Sequence, residues 1–129
     1  MPLVTQKVVA KVLDTIDYDA HLENVRKVYK TKCDALLNAF NKYASSKVKL
    51  TQPTGGMFAW MTMPEDVNCD DFFEACMDRN VGIIKCGAFA ADGAGEGHAF
   101  RLSYTVPTVE EITKGMEILG ALTKEFCGE

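Results

Sequence analysis

Val4, Val8, Val12 and Ile16 recur every four residues with Val9 and Leu13 beside them, which lays one apolar stripe along a helix starting near Thr5. Asp17-Tyr18-Asp19 interrupts that stripe and offers an N-cap, because a short side chain with an acceptor oxygen satisfies the free N–H groups of a first helical turn. Leu22, Val25, Tyr29, Cys33, Leu36, Phe40 and Tyr43 then step by three or four and predict a long second helix. The period next changes to two. Val48 to Thr51 alternates, Gln52-Pro53-Thr54-Gly55-Gly56 turns, and Met57 to Thr62 returns, the signature of a β-hairpin. The returning arm is apolar on both faces, as expected of a central strand covered on each side, and Pro64 ends it because proline cannot donate to a ladder.

Asn68 to Asp70 caps a short helix predicted to turn Phe72, Phe73, Cys76 and Met77 inward, with Asn80 closing it before a buried strand, Val81-Gly82-Ile83-Ile84. Residues 86–98 read as an irregular loop containing Gly87, Gly93, Gly95 and Gly97. In the strand predicted from Ala99 to Tyr104, Phe100, Leu102 and Tyr104 share one face while Arg101 and Ser103 share the other. Thr108 and Glu111 form a capping box, and Val109, Ile112, Met116, Leu119, Leu122 and Phe126 carry the stripe of a last helix. The order α-α-β-β-α-β-β-α predicts an α+β fold, a small, largely antiparallel sheet covered by helices, with residues 1–129 forming a single domain.

Composition narrows the functional classes. A chain of 129 residues, 47% hydrophobic and 25% charged, can bury roughly two-thirds of its unfolded surface. Lys and Arg number 14 against 18 Asp and Glu, so the charge is 14 − 18 = −4, with both signs scattered, which argues against nucleic-acid binding. Five cysteines, an odd number without C-x-x-C spacing, give neither a disulfide framework nor a zinc site, and reduced thiols fit a cytoplasmic protein. Lys7 and Lys11 break the apolar N-terminal stretch, and no window reaches the roughly 18 apolar residues of a membrane span.

Each candidate for chemistry has a plainer alternative. Gly93-x-Gly95-x-Gly97 lacks the phosphate-binding G-x-G-x-x-G spacing and leads into a strand, which leaves a flexible loop or a lid over a site. His21 and His98 are too isolated to suggest a metal site, and a Cys86/His98 nucleophilic pair competes with cysteine as a small buried hydrophobe. Carboxylates at Glu65, Asp66, Asp70, Asp71, Glu110 and Glu111 lie where they complement helix dipoles. Lys85 is either a desolvated amine or a snorkelling strand-end lysine. Arg101 is either an ordinary solvated arginine or an anion-binding one, because a guanidinium amid apolar residues needs a partner or open water.

A longer pattern weighs on the last choice. His21-Leu22-Glu23-Asn24-Val25-Arg26, Asp34-Ala35-Leu36-Leu37, Pro53-Thr54-Gly55-Gly56-Met57-Phe58-Ala59-Trp60, Val81-Gly82-Ile83-Ile84, Gly87-x-Phe89 and Phe100-Arg101-Leu102-Ser103-Tyr104 occur in one order over nearly the whole chain. That series resembles the carboxy-terminal small domain of fold-type I, class I/II pyridoxal-phosphate aminotransferases, with a pattern most similar to the aminoadipate and kynurenine type.

The resemblance implies a two-layer small-domain sandwich in which Arg101, matching the arginine of the family's R-L-S-[FY] strand, binds the α-carboxylate of an amino-acid or 2-oxo-acid substrate. It also implies that Gly56 lines the site entrance, that the enzyme is a homodimer, and that pyridoxal 5'-phosphate is held by a large domain. Cys86-Gly87 departs from the family's Pro-Gly. The cofactor lysine, the aspartate facing the pyridine nitrogen and the phosphate cradle have no counterpart in these residues, so the expectation is a fragment of a longer enzyme, with no catalytic or cofactor-binding residue of its own. The alternative is a non-catalytic, stand-alone binding or interaction module derived from that domain.

Overall fold

A computed structural model describes residues 2–91 and 97–129. Helix α1 spans Leu3–Thr15, α2 Tyr18–Tyr43, α3 Cys69–Asp78 and α4 Val109–Cys127; strands β1 to β4 are Lys49–Leu50, Phe58–Thr62, Ile84–Lys85 and Ala99–Ser103. The starts of α2, α3 and α4 follow the cap chemistry. The Asp17 carboxylate accepts from the Ala20 N–H at 3.0 Å, and Asn68 Oδ1 accepts from the N–H groups of Asp70 and Asp71. Thr108 and Glu111 form the reciprocal box, at 2.8 and 3.2 Å. Asn80 stops the chain after α3 at φ 59°, the left-handed region that asparagine tolerates better than most residues.

The strands lie in the order β1-β2-β4-β3, every neighbouring pair antiparallel. Register pairs Ala59 with Leu102 and Met61 with Phe100, and all four are buried among Leu36, Phe40, Phe72, Met116 and Leu119 of the helices. The fold is thus α+β with helices on one side of an open sheet. Helices α2 and α4 meet closely at Gly120, where a Cβ would lie 2.6 Å from the backbone carbonyl of Tyr43. Buried Thr123 accepts from the Ser45 N–H at 3.0 Å and donates to the Gly120 carbonyl at 2.7 Å, so this polar group in the junction is satisfied.

Four sequence expectations change. Helix α1 forms, but its apolar stripe stays exposed, from Val4 at 74% to Ile16 at 42%; amphipathic spacing identifies a face without supplying its cover. Strand β2 is covered on one side only, leaving Trp60 exposed and Phe58 half-buried. The third strand is just Ile84–Lys85 with Ile84 exposed, because the chain after Asn80 reaches the ladder only there; Ile83 alone is deeply buried in the predicted Val81–Ile84 run. Met77 is exposed, a single residue past the helix face that buries Phe72 and Cys76.

Gly120→Ala should destabilise the fold by about 1–3 kcal/mol, since the clash with Tyr43 outweighs the roughly 1 kcal/mol that alanine gains in helix propensity, and thermal melting reads the difference. Burial pushes the Cys76 thiol from 9.0 up to about 12. Its contribution to stability is therefore intact below pH 9 and is lost as pH rises toward about 12, because the unfolded thiol ionises first. Denaturant titrations should show this alkaline loss, smaller in Cys76→Ala.

Candidate functional site

Alternation along β4 buries Phe100 and Leu102 against the helices and turns Arg101, half-buried, to the uncovered face of the sheet. There it pairs in register with Trp60 of β2 on one side and Ile84 of β3 on the other. Its guanidinium carbon lies 4.0 Å from the ring centroid of Phe58 and 4.3 Å from that of Phe89. Phe89 ends the short 3₁₀ turn Cys86–Phe89 after β3 and meets Trp60 edge-on, at 5.7 Å and 88°. A cation thus lies inside an aromatic frame. Stacking engages the flat faces of a guanidinium and leaves its in-plane N–H donors for a planar acceptor. The ion pairs among the described residues, Lys30–Asp34, Arg79–Glu125 and Lys85–Asp70, do not include Arg101.

Gly56 begins the approach to this frame, two residues before Phe58. Its φ of 85° requires glycine, whereas a Cβ there would touch nothing within 4 Å, so conformation rather than crowding explains the residue. The Tyr104 hydroxyl donates to the Gly56 carbonyl at 2.8 Å and ties the turn to the end of β4.

The other sequence candidates separate from Arg101. The Lys85 ammonium pairs with Asp70 and lies 4.7 Å from the Phe73 ring centroid, the snorkelling arrangement. His98 Nδ1 faces Cys69 Sγ at 3.5 Å rather than forming a pair with Cys86, whose sulfur packs against Gly97. Burial raises the Cys69 thiol above its ordinary value, which disfavours the nucleophilic form. Among the described residues no three His, Cys, Asp or Glu side chains are grouped to hold a metal ion. Gly93 and Gly95, the centre of the loop-or-lid alternative, lie outside the described residues. Open clefts of about 670 and 740 Å³ lie elsewhere, and neither is lined by Arg101.

Sequence reading singled out Arg101 and missed its frame. Phe58 and Trp60 could have been found from hairpin register, since both share strand parity with the exposed face; no local signal brings Phe89 to the same place.

No family model matches the chain. Sequence and structure comparison nonetheless agree that it is a small domain homologous to a segment of aminotransferases. It is 35% identical over 123 residues, 95% of its length, to the 2-aminoadipate transaminase of Thermus thermophilus, and spans 30% of that protein. The crystal structure of LysN, the alpha-aminoadipate aminotransferase of Thermus thermophilus, complexed with N-(5'-phosphopyridoxyl)-L-leucine, matches with a TM-score of 0.89 and 33% identity, over 98% of this chain and 32% of that one. A more distant relative, an uncharacterized HTH-type transcriptional regulator of Bacillus subtilis, is 25% identical over 124 residues, which are 96% of this chain and 25% of the regulator. The chain therefore spans about a third or less of the length of these relatives.

Tyr104→Phe should lower stability by about 1 kcal/mol through loss of the bond to Gly56, measurable as a fall of a few degrees in Tm.

Proposed function

We propose that this chain is the small domain of a pyridoxal-phosphate aminotransferase and that Arg101 binds the α-carboxylate of its amino-acid or 2-oxo-acid substrate. The observation carrying this reading is the Arg101 guanidinium, framed by Phe58 and Phe89 on the uncovered sheet face and standing at the position of the family's R-L-S-[FY] arginine. A planar fork of donors grips a carboxylate in two parallel hydrogen bonds and so fixes the direction of the bonds at the neighbouring carbon. Gly56 lines the entrance beside it.

The residues of this chain do not suit the cofactor itself. Lys85, which follows two isoleucines, is engaged by Asp70 and Phe73, and the glycine-rich turn at 55–56 leads into a strand rather than a helix N-terminus that could cradle phosphate. Pyridoxal phosphate, which supplies an electron sink at the substrate's α-carbon, is accordingly assigned to a large domain outside residues 1–129. That domain would meet the uncovered sheet face and the apolar stripe of α1, in a homodimeric enzyme. Cytoplasmic placement fits five cysteines without a disulfide and helices too short or too polar to cross a membrane among the described residues.

In a protein that carries this domain together with the cofactor-binding one, Arg101→Ala should lower kcat/KM for transamination by about 10²- to 10³-fold, and Arg101→Lys should restore only part of it. Near-wild-type turnover in Arg101→Ala would overturn the proposal. The likeness to a transcriptional regulator favours a second reading, a non-catalytic binding module. Retained partner or carboxylate binding in a natural full-length protein that lacks any transaminase activity would select it.

A further inference from the structure

Arg101 owes its direction to more than strand alternation. An arginine side chain loses considerable rotamer freedom when it is fixed on a ligand, and a lone strand arginine at an uncovered face incurs that cost at the moment of binding. Here the guanidinium carbon lies close to two ring centroids, at 4.0 and 4.3 Å. The rings come from different elements, Phe58 from β2 and Phe89 from the turn after β3. Phe89 is 46% exposed and therefore contributes little to the core, yet it is held in place edge-on by Trp60. Three aromatic side chains on the uncovered side of the sheet, one half-buried and two exposed, thus surround one cation.

Resting on the reading of Arg101 given above, we infer that Phe58 and Phe89 are positioning residues, a two-ring clamp that sets the plane of the Arg101 guanidinium before substrate arrives, with Trp60 bracing the outer ring. A guanidinium stacked on rings keeps its in-plane donors for a planar acceptor such as a carboxylate. Its effect falls on binding. Both ground state and transition state retain the carboxylate, so loosening the clamp raises KM while kcat changes little.

The test has two arms. Proton NMR of the 129-residue chain should place the Arg101 side-chain δ and ε resonances upfield, under the ring currents of Phe58 and Phe89. Phe89→Leu should move them back toward ordinary values with little change in Tm, and Phe89→Tyr should keep them shifted. In the protein that carries the cofactor-binding domain, Phe89→Leu should raise KM for the oxo acid about tenfold with kcat within about twofold, and Phe89→Tyr should restore KM. Unshifted Arg101 resonances in the wild-type chain would overturn the clamp. So would an unchanged KM in Phe89→Leu when Arg101→Ala lowers kcat/KM as expected above. A harmless Arg101→Ala would instead overturn the carboxylate reading on which the clamp rests.

Discussion

Phe100, Leu102 and Tyr104 lock β4 against the helices, and because successive side chains in a strand take opposite faces, the packing that closes the core also sends Arg101 the other way. Register couples the two faces further. Ala59 and Met61 meet Leu102 and Phe100 on the covered side, and the same ladder brings Trp60 opposite Arg101 on the uncovered side. A slip of one residue would bury the guanidinium and expose two phenylalanine- and leucine-sized side chains, an error that the core itself forbids. Core burial is thus the constraint that aims the arginine, and the aromatic rings refine its direction.

Much of the architecture was legible because caps and periods are local. Asp17, Asn68 and the Thr108/Glu111 box mark helix starts that the structure keeps, and the parity of Phe100, Arg101 and Leu102 gave the correct faces of β4. What covers a face is not local. Both α1 and β2 carry apolar residues on surfaces with no helix over them among the described residues, so their patterns led to an expectation of cover that is not met there. The short β3 shows a related limit: Val81, Ile83 and Ile84 have the composition of a buried strand, but the left-handed Asn80 and the path toward β4 decide how much of it pairs. The frame around Arg101 was half legible, Phe58 and Trp60 through register, whereas Phe89 arrives through a turn whose course no periodicity records.

The uncovered surfaces and the homology point in one direction. Trp60, Ile84 and Phe89 stand exposed around Arg101, and the stripe of α1 stands exposed beside two extended residues, Ile16 and Asp17, that join it to α2. Aminotransferase relatives about three times as long supply an economical account of what such faces are for. Under the function proposed above, this domain brings the carboxylate-binding arginine and the chemistry at the α-carbon belongs elsewhere.

Tyr104 gives this division of labour a mechanical side. Its ring is among the largest buried side chains, while its hydroxyl reaches out to the carbonyl of Gly56. One rigid phenol therefore connects the interior to the loop that precedes Phe58, and a void opened beneath it would be transmitted along that lever to the Gly56 turn. Damage deep in the hydrophobic layer would then register as a displaced turn before it registered as melting.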